Sequence, residues 1–144
     1  SKSGIKKLVE TSLSHLKWYC KITPVNTYSP EYDEIINRSK IGLHHFGNSY
    51  DSIRIWELAS ANCGIVMPKL KLKSTSEEWM PFNEYLSIND NFSDLEEKIV
   101  YMLENERYKK YAQDAYDSYN LKHNPDKCFE KYYETFKRYI NIWL

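Results

Sequence analysis

Apolar residues recur along this chain in two rhythms. Over residues 4–16 they fall at Ile5, Leu8, Val9, Leu13 and Leu16, the stripe of a helix. Residues 17–23 are aromatic and β-branched, are closed by Pro24, and read as a strand. Ser29 is a good N-cap and Pro30 suits a first helical position. A short helix should follow, with Tyr32, Ile35 and Ile36 on its apolar face. IGLHHF at 41–46 reads as a buried strand. IRIWELASA at 53–61 reads as a helix that stops at a glycine, Gly64. GIVMP at 64–68 is a second short buried strand, ended by proline.

Residues 69–84 are polar and irregular, with Trp79, Met80 and Phe82 as anchors. EYLSI at 84–88 is a further strand. Ser93 and Glu96 have the spacing of a capping box, which opens an amphipathic helix to about Asn105 (Leu95, Ile99, Met102, Leu103). Another helix is expected over 106–120. Asn124 then caps a last helix with Pro125 in its first turn, and Phe129, Tyr132, Tyr133, Phe136, Ile140 and Trp143 form a stripe expected to face inward. Packing, rather than a ligand platform, is the expected use of that stripe.

Short continuous apolar strands alternating with helices predict an α/β domain. We expect a partial Rossmann-like parallel sheet of about four strands, flanked by helices and followed by a helical C-terminal tail over 106–144. A length of 144 residues fits one domain.

Twenty basic residues balance twenty acidic ones, so no overall field draws nucleic acid or an anionic membrane. A local basic patch is still open to the chain, for instance at Lys69, Lys71 and Lys73. Cys20, Cys63 and Cys128 show no C-x-x-C spacing, which points away from a zinc site or a disulfide framework and towards a reduced, cytoplasmic compartment. The histidines are too scattered for a metal site. His44 and His45 are adjacent, and on a strand they point to opposite faces. No apolar run is long enough for a transmembrane helix.

The stretch 48–64, NSYDSIRIWELASANCG, carries the candidate chemistry. In open α/β sheets ligands bind beyond the carboxyl ends of the strands, where the loop after 41–46 and the start of the next helix lie. A helix N-terminus offers unpaired N–H groups and a positive dipole end to phosphate. Arg54 adds a cation in the first turn, a position mildly unfavourable for the helix unless an anion binds there. Glu57 lies one turn further on the same face, where a carboxylate can accept from two ribose hydroxyls. The plain alternative is a solvated i,i+3 surface pair, and spacing alone leaves both open.

SKIGLHHFGNSYDSIRIWELASANCGIVMP resembles the nucleotide-sugar-binding half of GT-B fold glycosyltransferases. The shared elements are Ser39, Ile41-Gly42-Leu43, an R-x-x-E pair at Arg54 and Glu57, Ala59-Ser60-Ala61, and Cys63-Gly64 through Pro68. Downstream, YLSINDNFSDLEEKIVYMLENERYKKYAQDAYDSYNLKHN is similar to the strand and helical tail of those domains. The character is that of group 1 and spore-maturation-protein-like transferases, with exostosin-like enzymes as neighbours.

The resemblance implies that Glu57 binds the ribose of a nucleoside-diphosphate sugar such as a UDP-sugar. It implies that Asn48, Ser49, Tyr50, Asp51 and Ser52, with Arg54, hold the diphosphate and sugar. The segment from Thr23 to Tyr28 matches the base-binding position. No metal is implied. The acceptor, a glycan, lipid or protein, would be bound by a further domain of a longer protein, without which no turnover is expected.

The chain departs from the family pattern at Ser49, where the first glutamate of E-x7-E would stand, and Asp51 is the nearest carboxylate. Rival readings are a non-catalytic nucleotide- or protein-binding module, a structural domain with a solvated Arg54–Glu57 pair, and a small phosphate-binding enzyme using His44 or His45. The last lacks an accompanying G-x-S-x-G elbow or paired carboxylates.

Overall fold

A computed structural model describes residues 30–46, 52–71 and 83–143. The expected helix at 4–16, the strand at 17–23 and the anchors Trp79, Met80 and Phe82 lie outside the described residues. Within them run α1 (Pro30–Arg38), β1 (Ile41–Leu43), α2 (Ile53–Ser60), β2 (Gly64–Pro68), β3 (Leu86–Ile88), α3 (Leu95–Leu103), α4 (Tyr108–Ser118) and α5 (Pro125–Trp143). The α/β class holds. Three of the four expected strands fall among the described residues, ordered β1-β2-β3, and all are parallel.

The sheet is buried on both faces because its central strand is apolar at every position. Ile65 and Met67 of β2 point into one cluster with Ile36 of α1, Ile55, Leu58 and Ala59 of α2, and Ala115 of α4. Val66 points the other way, against Ile88, Phe92 and the α3 residues Leu95, Ile99 and Met102. Period-two alternation therefore serves two cores, which is why GIVMP shows no polar gaps.

Several boundaries differ from the sequence reading, each for a local reason. Helix α2 begins at the Ser52 cap, but Asn62 rather than Gly64 ends it, with φ of 56°. The Cys63 N–H donates to Leu58 O and the Asn62 N–H to Ala59 O, the paired bonds of a Schellman ending. Gly64 instead starts β2, where an added Cβ would stand 2.6 Å from Met102 Cε and 3.1 Å from the Tyr108 carbonyl oxygen.

The Ser93–Glu96 capping box does not form. Asn89 takes the Ser93 hydroxyl instead, its side chain donating to Ser93 Oγ, while its N–H donates to Oδ1 of Asp94, the residue that precedes the helix. Helix α3 starts at Leu95 without a side-chain cap bond and closes at Leu103 in a 3₁₀ turn, where Asn105 and Glu106 take positive φ. The cap at Asn124 is as expected, its Oδ1 accepting from the Asp126 N–H at 3.0 Å.

The stripe of α5 is a correction. Phe129 is 69% exposed and Phe136 62%, and Tyr132, Tyr133 and Ile140 are exposed too. Helix α5 packs chiefly on the π-helical turn Tyr119–His123 that precedes it, and among the described residues no core element covers its apolar face.

Candidate functional site

Strand β1 and helix α2 face one another in register, and this register builds the site. A Cβ added at Gly42 would stand 2.4 Å from Leu58 Cδ2, so Gly42 faces α2. Two residues on, His44 shares that face, since its N–H donates to Val66 O at 3.0 Å and continues the ladder beyond Leu43. One helical turn before Leu58, Arg54 lies on the same side of α2. The chain thus sets Leu58 over Gly42 and Arg54 beside His44, at the carboxyl edge of the sheet. His45 points the other way, its ring 5.3 Å from that of Phe92.

His44 is 2% exposed. Among the described residues neither of its ring nitrogens has a hydrogen-bond partner, and the buried Nε of Arg54 lacks one as well. Burial first, then the charges of Arg54 and His45, push the His44 imidazole down to about 4, so it is neutral around pH 7.

Tyr32 of α1 binds both members of the charged pair. Its hydroxyl donates to Glu57 Oε2 at 2.9 Å, and the Arg54 guanidinium sits 5.4 Å from the centre of its ring. Burial, with the bond to Glu57 next, raises the phenol to about 12, which keeps it a donor. Arg54 and Glu57 form no ion pair with each other. One oxygen of Glu57 is therefore held by Tyr32, and no other described side chain bonds the second. Ser52 caps α2, its hydroxyl oxygen accepting from the Arg54 N–H at 3.4 Å.

Of the sequence-proposed site, Ser52, Arg54 and Glu57 come together at the start of α2. Asn48, Ser49, Tyr50 and Asp51 lie outside the described residues, as do Thr23 to Tyr28. The sequence reading placed Tyr32 on an apolar helix face and missed its role as bracket. A phenol carries a polar tip on an apolar body, and that was the available signal. His123, also missed, stacks on Trp56 of α2 at 3.7 Å between ring centres.

The concavities lined by Glu31, Ile35 and Arg38 and by Phe129, Tyr133 and Phe136 involve other residues. In the basic patch, Lys71 pairs with Asp90 at 2.6 Å, and Lys73 lies outside the described residues. Cys63 and Cys128 are free thiols. Among the described residues there is no cluster of three or more metal-ligating side chains, and no helix long and apolar enough to cross a membrane. No protein-family model matches this chain, and no curated protein and no solved structure matches it either.

Proposed function

We propose that this chain is the donor-binding part of a GT-B type glycosyltransferase, taking a nucleoside-diphosphate sugar at the carboxyl edge of β1. The observation that carries this reading is the separation of Arg54 from Glu57. Two opposite charges one turn apart at a helix start do not pair, and Tyr32 holds each of them instead. Tyr32 steadies the fold through those contacts, and it also leaves the carboxylate and the guanidinium free of one another, as suits a site that uses them for different parts of one ligand.

In this reading the open oxygen of Glu57 accepts from ribose hydroxyls. The N–H groups at the start of α2 and the Arg54 guanidinium take up the charge of the diphosphate as it departs from the sugar. The R-x-x-E spacing and its place between two buried strands support the same assignment. The acceptor, and any general base, belong to another domain.

Calorimetric titration with UDP, GDP and ADP tests this. One diphosphate should bind with a dissociation constant of roughly micromolar to low millimolar. Glu57→Ala and Arg54→Ala should each weaken that binding at least about tenfold. Equal binding by both variants, or no heat from any diphosphate, overturns the reading.

A further inference from the structure

We infer that His44 and Arg54 form a buried two-donor seat for one phosphate group, in which a histidine N–H and the Arg54 Nε–H converge on phosphate oxygens. The inference rests on the donor-site reading for the class of ligand, a nucleoside diphosphate.

Buried polar groups are almost always hydrogen-bonded, because an unmade bond leaves the full desolvation cost in place. Here two groups that act on one another electrostatically break that rule. His44 is 2% exposed, and its Nδ1 and Nε2 lack partners among the described residues, as does the buried Nε of Arg54. They stand on facing elements, brought together by the register that sets Leu58 over Gly42.

The shared need identifies the ligand. Arg54 supplies only donors, and a neutral imidazole supplies one donor and one acceptor. An oxyanion satisfies the two donors at once, and the start of α2 beside them favours negative charge. Burial and Arg54 keep His44 neutral, so it gives a directed N–H rather than a second positive charge. The Arg54 headgroup keeps its place over Tyr32 while its Nε–H faces the phosphate.

The test is titration of the full chain with inorganic pyrophosphate and with the nucleoside diphosphates, for the wild type and for His44→Leu, His44→Gln, Arg54→Lys and Glu57→Ala. Arg54→Lys keeps the charge and removes Nε–H. His44→Leu and Arg54→Lys should each weaken pyrophosphate by about tenfold or more, the scale of a hydrogen bond to a charged group. Glu57→Ala should spare pyrophosphate and weaken only the nucleoside diphosphate. In the wild type, the His44 ring nitrogen resonances should move when pyrophosphate is added, a readout independent of how the Leu variant folds. His44→Gln, which restores a donor, should bind better than His44→Leu.

Wild-type binding of nucleoside diphosphate by His44→Leu, with loss in Glu57→Ala, overturns the seat and leaves the donor reading standing. Pyrophosphate binding that depends on His44 but shows no preference for a nucleoside and no effect of Glu57→Ala supports the seat and overturns the donor reading. Unmoved His44 resonances overturn the seat.

Discussion

The Tyr32 hydroxyl donates to Glu57 Oε2 at 2.9 Å, joining α1 to α2 across 25 residues of chain. The same ring carries the Arg54 guanidinium at 5.4 Å. One side chain therefore keeps a carboxylate and a cation apart while fixing both.

Removing only the hydroxyl separates these two roles. Tyr32→Phe retains the ring under Arg54 and frees Glu57. Stability should fall by about 1 kcal/mol in urea denaturation, the usual net worth of such a bond. Affinity for the preferred nucleoside diphosphate should fall roughly three- to tenfold, as the carboxylate loses its fixed orientation. Tyr32→Leu, which loses the ring as well, should be worse on both counts.

The buried His44 makes the fold acid-sensitive. Its folded value of about 4 lies below the ordinary 6.5, so between those values the unfolded chain binds more protons than the folded one. Stability is then fully present above pH 6.5, falls as pH drops, and levels off for this group below about 4. Complete loss corresponds to roughly 3 kcal/mol. Arg54 and His45 are the charged groups that act on it. Comparing wild type with His44→Gln by chemical denaturation across this range cancels the carboxylates common to both, and the variant should show a flatter profile.

The close approach of β1 to α2 depends on the missing side chain at Gly42. An alanine Cβ there would lie 2.4 Å from Leu58 Cδ2 and 2.8 Å from Cδ1. Leu58 can give only by leaving a packed position, so Gly42→Ala should cost about 1–3 kcal/mol. In the double variant with Leu58→Ala the methyl groups that clash are gone. The combined loss should fall short of the sum of the single losses by at least about 0.5 kcal/mol, measurable in a double-mutant cycle.

Cys63 should be inert in the folded chain. It is fully buried, its thiol lies 3.2 Å from the Ser39 carbonyl oxygen, and burial pushes it up to about 11. The thiolate is the nucleophile, so both access and ionisation oppose attack. Mass spectrometry after brief alkylation at mildly alkaline pH should find Cys128 modified and Cys63 intact. Denaturant should expose Cys63.

Much of the fold was legible one segment at a time. The unbroken apolar run of GIVMP announced a strand covered on both sides, and Ile65, Val66 and Met67 do divide between two cores. Asn124 announced a helix start because capping is a matter between near neighbours. The R-x-x-E spacing placed Arg54 and Glu57 on one face of one helix, which is geometry internal to the helix. Those features are set by local chemistry, so the sequence by itself determined them.

Three other features were decided only when the elements met. Ser93 had the chemistry of a cap, but Asn89 folded back and took its oxygen, a competition invisible to spacing. The apolar stripe of α5 stated which side is oily and not what covers it, and in this chain that side is exposed. The site itself depends on Tyr32 reaching Glu57 and on His44 meeting Arg54. Periodicity reports the direction of a side chain relative to its own helix or strand, whereas partners distant in sequence are fixed by the packing of one element on another.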